Sequence, residues 1–319
     1  MKLIPFRKMG SSSSDLVLFF LVLSLVYLVP GESHEEGGLI SALVSNKGMD
    51  FVKDVLIDKA VSSMIPLRIP DIERTKKIPL LGKVRIGLSD ITIYSVSFAS
   101  SYVKTGESTG VVVVASGATA EMSMRWKYSY KNWVVEISDS GDASVQVDGM
   151  DVGVAVELTE LGGSIKLTLM DCGCYVKGIS IKLDGGASWL YQAIVDVFDK
   201  PIRNAVEDAV SKKLKQGISS LDSRLQSLPK SLTVAHVAVL NVTFVENPVL
   251  SNSSIELEVD GLFRSADGLV VPRIDFGQPR GSVSPSSGTK MISMLLHEDV
   301  LNSASLVYFN VICTGQLEN

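Results

Sequence analysis

Two clusters of basic residues carry the most explicit chemistry in this 319-residue sequence. The stretch from Ile72 to Arg85 holds Arg74, Lys76, Lys77, Lys83 and Arg85 against the single acid Glu73, and Arg125, Lys127 and Lys131 follow further along. The chain as a whole carries a formal net charge of −5. A cationic cluster on an acidic chain is a place for phosphates or anionic headgroups, each basic residue near a charged lipid surface contributing about 1 kcal/mol. The plainer alternative is a solvated face that aids solubility. An acidic balance also argues against general nucleic-acid binding.

Other residues could do chemistry in principle. Gly106-Glu107-Ser108-Thr109-Gly110 fits the G-x-S-x-G pattern, and His236 and His297 lie downstream. That motif works where a strand turns sharply into a helix. Here the valines Val111 to Val114 follow, so the serine falls between two strands and a non-enzymatic role is expected. Of three cysteines, Cys172 and Cys174 lie two apart on one strand face, a geometry that disfavours a direct bridge, and Cys313 is far away. His34, His236 and His297 have no ligand-like spacing, so neither a metal nor a cofactor is expected.

The elements that must position the basic clusters are legible from periodicity. Val84, Ile86 and Leu88 share one face, and Ile91 and Ile93 continue it after a one-residue shift at Ser89-Asp90 that reads as a bulge. Met122, Met124, Trp126 and Tyr128 alternate with polar residues, as do Val152 to Leu158, Ile165 to Leu169 and Ile179 to Leu183. Turn residues at Thr105 to Gly110, Ser138 to Gly141, Gly162-Gly163 and Gly185-Gly186 separate these runs. Period-two alternation with hairpin-length gaps predicts antiparallel strands buried on one face.

A very long amphipathic helix follows. Leu190, Ile194, Phe198, Ile202, Val206, Val210, Leu214, Ile218, Leu221 and Leu225 recur at steps of four and three, with Pro201 inside. About forty residues at roughly 1.5 Å each make some 60 Å of helix. A shorter helix precedes the strands, with Ile40, Val44, Phe51, Val55 and Met64 in register and Pro66 ending it. Leu232 to Val245 and Ile255 to Phe263 return to strand patterns. The predicted class is therefore α+β: an elongated, strongly curled antiparallel sheet wrapped on a long helix, making a tube with an apolar interior.

The N-terminus has the features of a secretory signal over residues 1–33: Lys2, Arg7 and Lys8, an apolar stretch from Leu16 to Val29, then Gly31 and Ser33. That stretch is short for a membrane span. Sequons at Asn241 and Asn252 fit export and predict glycosylation there.

Several pieces in fixed order resemble the family of bactericidal permeability-increasing protein and lipopolysaccharide-binding protein (BPI/LBP), its plant branch in particular. They are Ser45-Asn46-Lys47-Gly48-Met49-Asp50, Leu81-Gly82-Lys83, Trp126-Lys127 with Lys131-Asn132-Trp133, Ser188-Trp189-Leu190 with Arg203-Asn204, Leu225-Gln226-Ser227-Leu228-Pro229, and Asn302-Ser303-Ala304 with Leu306-Val307-Tyr308. The likeness runs from about Gly38 to Phe309.

The resemblance implies a lipid binder of two similar barrels joined by a central sheet, each barrel with an apolar pocket, and a basic tip on the first that meets lipopolysaccharide phosphates. Lys83, Lys127 and Lys131 match that tip best, although Tyr130 stands where the family tends to carry another base. The family's bridge joins the region of Cys172 and Cys174 to the long helix at a position matching Ser211, so that disulfide is not expected. The resemblance also divides the chain into a lipid-binding barrel over 34–274, a linker over 275–290, and 291–319 as a strand and helix that only begin a second barrel.

The resulting expectation is a secreted, non-enzymatic binder of lipopolysaccharide or phospholipid in defence against bacteria, able to touch a bacterial membrane surface. Headgroup phosphates are expected at Lys76, Lys77, Lys83, Arg85, Arg125, Lys127 and Lys131. The acyl pocket is expected at Val55, Ile57, Val154, Val156, Leu190, Ile194 and Phe198. The alternative is a truncated isoform acting as a decoy or protein-interaction module, motivated by the apolar Leu301, Leu306, Val307 and Phe309 late in the chain.

Overall fold

The computed structural model describes residues 38–78, 82–106, 110–131, 133–134, 136–184, 188–234, 237–266 and 290–315. In chain order the first elements are β1 (Ile40–Ser45), α1 (Asn46–Met64), β2 (Leu67–Arg68), β3 (Ile72–Ile78), β4 (Gly82–Ser97) and β5 (Ser100–Gly106). Then come β6 (Gly110–Lys131), β7 (Glu136–Leu161), β8 (Ser164–Leu183) and α2 (Ser188–Gln226). The remainder are β9 (Ser231–Val234), β10 (Ala238–Asn241), β11 (Val249–Leu250), β12 (Ser254–Val259), β13 (Phe263–Ser265), β14 (Ile292–Leu296) and α3 (Glu298–Gly315). The described residues fall into two compact units, one within 46–228 and 247–255, the other within 38–45, 229–246 and 256–315.

The first unit is built on a seven-stranded antiparallel sheet in the order β2-β4-β6-β7-β8, with β3 also beside β4 and β5 beside β6. The predicted alternation holds: Val84, Ile86, Leu88, Ile91 and Ile93 are all buried on the inner face. Pairing between β4 and β6 slips between Ser89 and Thr92, and Asp90 adopts a φ of 52°, which is the bulge expected there. The 39-residue α2 continues through Pro201 and spans about 58 Å. It packs against both β8 and β3, which lie toward opposite edges of the sheet. The sheet therefore curls until both sides reach one helix, and among the described residues no β3–β8 ladder closes it.

Burial along α2 follows the predicted stripe. Ile194, Phe198, Ile202, Val206 and Val210 are sealed against the inner face with Trp126, Met122, Met124 and Val147. Burying each such side chain contributes about 1.5–3 kcal/mol, which makes this stripe the main anchor of the helix. Trp126 also donates from Nε1 to the Asp142 carbonyl at 3.1 Å and stacks on Tyr128, with ring centroids 6.3 Å apart and planes 7° from parallel. Gly141 lies under that indole: a Cβ there would stand 2.7 Å from Trp126.

Three expectations shift. Ile40 to Ser45 is a strand, not the start of a helix; its run of apolar residues pairs with β14 from Ile40↔Leu296 to Val44↔Ile292. Helix α1 then buries Met49 and Lys53 and turns Phe51 and Val55 outward. Ser138 to Gly141 is no turn but lies within β7, because the polar residues at this end of the sheet pair with β6 as far as Lys131↔Glu136.

The second unit holds β12, β1 and β14 side by side in that order, and the three-stranded sheet β13-β10-β9. Leu39, Ile40 and Val300 form a small core with Phe263, Met294 and Leu296 around it. The strand expected at Met291 to Leu296 is β14, and the helix expected at Glu298 to Phe309 is α3, with Val307 buried and Leu301 and Phe309 exposed. The expected linker over 275–290 and the signal over 1–33 lie outside the described residues, apart from Lys290. No described helix is long and apolar enough to cross a membrane.

Candidate functional site

The antiparallel register sorts the basic residues by face. On β3, Thr75 pairs with Arg85 and Lys77 with Lys83, whereas Lys76 pairs with the buried Val84. On β6, Ser129 pairs with Arg85, Lys127 with Gly87 and Arg125 with Ser89. Side chains alternate across a strand, so Lys77, Lys83, Arg85, Arg125, Lys127 and Lys131 share the outer face of three adjacent strands. Lys76, grouped with them in sequence, belongs to the inner-face register and is half-buried.

Two of the six are already neutralised. Arg125 lies 3.4 Å from Asp90 and 3.8 Å from Asp142, and Lys131 lies 2.9 Å from Glu136. Lys77, Lys83, Arg85 and Lys127 have no ion pair among the described residues. Lys77 stands directly opposite Lys83, an arrangement of like charges that costs stability unless an anion bridges them. Glu73, opposite Gly87, lies two strands from Lys127 on that face.

A partly open cavity of about 90 Å³ lies in the same unit. One wall is α1 through Ile57, Ala60, Val61 and Met64, continuing into Ile65 and Leu67; α2 contributes Val210 and Leu214. The sheet supplies Ile93, Val96, Phe98, Val113, Ala115, Met150, Val152 and Val154. Every lining residue is apolar. The exposed-looking turn of α1 is held down by Lys53, which is 7% exposed and donates to the Ser101 Oγ at 3.0 Å and its carbonyl at 3.3 Å while pairing with Asp54 at 2.9 Å. A buried ammonium satisfied on all three protons fixes α1 against β5, and so fixes the cavity wall.

The structure brings together only part of the expected acyl pocket. Ile57 and Val154 line the cavity. Val55 is 50% exposed on the far side of α1, since the inward stripe of this helix runs Met49, Lys53, Ile57, Val61 and Met64. Ile194 and Phe198 are fully buried in the main core and do not line this cavity. Val156 shares the Val154 face but lies beyond the lining, and the Leu190 side chain lies outside the described residues. Sequence reasoning missed Val113, Ala115 and Phe98; the run of valines before Ala115 was the available signal for a strand buried on its inner face.

Cavity and cations lie at different stations along the strands. From Met122, which pairs with Ile93 of the cavity wall, to Lys127 is five residues of β6, roughly 16 Å of strand at about 3.3 Å each.

A comparison with family models matches residues 48–221 to the LBP / BPI / CETP family, N-terminal domain. The chain belongs to this family. A BPI/LBP family protein of Arabidopsis thaliana is 47% identical over 293 residues, covering 91% of this chain and 60% of that protein. The bactericidal permeability-increasing protein of Sebastes schlegelii is 26% identical over 288 residues, covering 90% of this chain and 59% of the relative. The crystal structure of a lipopolysaccharide-binding protein superposes with a TM-score of 0.71 at 16% identity, over 82% of this chain and 57% of that one. The chain thus spans about three fifths of the length of these BPI/LBP relatives.

Cys172 and Cys174 are both free, and the Cys172 sulfur lies 3.9 Å from the Ser211 carbonyl oxygen on α2. Burial first, then the carboxylates of Glu207 and Asp151, push the Cys174 thiol up to about 12, which leaves it protonated and unreactive at neutral pH. Gly106 and Gly110 of the hydrolase-like motif pair across β5 and β6, the wrong setting for a nucleophile elbow; Ser108 and His236 lie outside the described residues. Asn252 is exposed between β11 and β12, while the half-buried Asn241 uses its Oδ1 to accept from the Thr243 amide at 3.1 Å.

Proposed function

We propose that this chain is a secreted, non-enzymatic binder of amphipathic lipid, either phospholipid or lipopolysaccharide, which takes an acyl chain into the cavity between α1, α2 and the sheet. The observation that carries this reading is the all-apolar lining of this partly open cavity. Burying each methylene contributes about 0.8 kcal/mol, so a twelve-carbon chain contributes on the order of 10 kcal/mol, more than several surface charges together. Affinity comes from the cavity. The outer-face cations Lys77, Lys83, Arg85 and Lys127 select for anionic headgroups and phosphates in the surroundings.

The family supports the reading, with relatives named for lipopolysaccharide binding and for cholesteryl ester transfer. Residues 1–33 serve as the export signal, Asn252 and Asn241 as glycan acceptors, and defence against bacteria is the setting. Native mass spectrometry of the secreted chain tests it: co-purified lipid, displaced by an added fluorescent fatty acid, is the expected result. A chain that emerges lipid-free and takes up no acyl probe overturns it.

A further inference from the structure

Strand β8 is the last on its side of the seven-stranded sheet, and α2 packs along it where a further strand would otherwise pair. Side chains of the helix hold this seam. Glu207 Oε1 accepts from the Val176 amide at 2.8 Å, Asp222 Oδ1 accepts from the Leu167 amide at 2.8 Å, and Gln226 Nε2 donates to the Ile165 carbonyl at 3.0 Å. Glu207 and Asp222 lie fifteen residues apart, about 22 Å of helix. Between them, the only hydrogen bond joining α2 to β8 among the described residues is the weak one from the Cys172 thiol to the Ser211 carbonyl, at 3.9 Å.

The strand is irregular over the same interval. Ala155 pairs with Asp171 and Val156 with Leu169, so Met170 is an extra residue, bulged out and 63% exposed. The interval also lies beside the cavity. Val152 and Val154, both in the cavity wall, pair with Cys174 and Cys172. Ser211 sits on α2 between Val210 and Leu214, which line the cavity too. Cys172, Cys174 and Ser211 are all half-buried, so small side chains reach solvent at the level of the cavity wall.

We propose that this interval is a lateral portal: an acyl chain passes between α2 and β8, by way of Ser211, Cys172 and the Met170 bulge, to reach the cavity. The other walls resist parting. The sheet side is a continuous run of ladders through β4, β6 and β7, and α1 is fixed to β5 by the buried Lys53. Opening the α2–β8 interval breaks one thiol contact and leaves the pairing of β8 with β7 intact. The carboxylate latches at Glu207 and Asp222 are charge-assisted and stronger than a thiol contact, so they confine the opening to the stretch between them. Met170, unbranched and flexible, yields to a passing chain. The portal rests on the reading of the cavity as an acyl site.

The test mixes the secreted full chain, or its Ser211→Cys variant, with a fluorescent fatty acid and reads the rate and the final extent of uptake separately. Bridged to Cys172 under oxidant, the variant should load on the order of tenfold more slowly than the parent, to the same final extent, and reductant should restore the parent's rate. The parent in the same oxidant should not slow; equal slowing there overturns the portal. An oxidised variant that loads as fast as the parent overturns the portal and leaves the cavity reading standing. A lower final extent at an unchanged rate also overturns it, because the bridge then alters the cavity and not the way in. A parent that takes up no probe overturns both. Where thiol counts show that no bridge has closed, Glu207→Ala with Asp222→Ala decides: loss of both latches should speed uptake by roughly threefold in the folded protein. An unchanged rate in that variant overturns the portal.

Discussion

The Cys172 sulfur on β8 faces the backbone carbonyl of Ser211 on α2 across 3.9 Å. A side chain at position 211 therefore starts from the turn of helix nearest a free thiol. Ser211→Cys should close a bridge with Cys172 around a loop of 39 residues and stabilise the fold by about 2–4 kcal/mol. Denaturant midpoints with and without reductant, together with thiol counts, check this; a variant with all its thiols free and an unchanged midpoint contradicts it.

Cys174 should make the protein sensitive to alkali. Its folded value, about 12, is raised above the ordinary 9.0, so its contribution to stability is full below pH 9 and is lost as pH rises toward 12. Above pH 9 the unfolded thiol ionises and the buried one does not. Cys174→Ala should flatten the fall of melting temperature between pH 9 and 12 relative to the parent. Parallel curves for the two proteins rule the linkage out.

The cavity and the core should respond differently to substitution. Val154→Phe fills lipid space and should abolish co-purified lipid, with a strain of about 1–3 kcal/mol at most. Phe198→Ala opens a hole in solid packing and should cost about 3–5 kcal/mol. Lipid uptake by the folded fraction should survive it. Calorimetry paired with native mass spectrometry separates the two, and equal loss of lipid in both variants would show that the cavity extends to Phe198.

Lys77→Glu replaces a repulsive cross-strand pair with an attractive one opposite Lys83. It should stabilise the chain by roughly 0.2–1 kcal/mol while reducing attachment to anionic vesicles. The two effects have opposite signs. A variant that loses both stability and attachment would mean that Lys77 serves packing, not anion contact.

How much of this was legible in the sequence depends on what each residue's position is set by. Val84, Ile86 and Leu88, the bulge at Asp90 and the stripe from Ile194 to Val210 were readable, because period and burial coincide there. Val55 was misplaced since the inward stripe of α1 passes through a lysine, and a buried Lys53 satisfied by Ser101 and Asp54 leaves no apolar signal at its own position. Ile40 and Val44 share a helical period by chance, while their actual partner, β14, is about 250 residues away. Lys76 and Lys77 are neighbours in sequence and opposites in space, a consequence of pleating that a charge count overlooks.

Helix α2 lines the cavity at Val210 and Leu214, yet one turn earlier, from Val206 back to Ile194, the same stripe is sealed. Space in the cavity therefore ends at that turn. The stop works as a gauge: the length of this apolar space is set by how far along the one helix the plug begins, and trimming Val206 alone would lengthen it without touching Leu214.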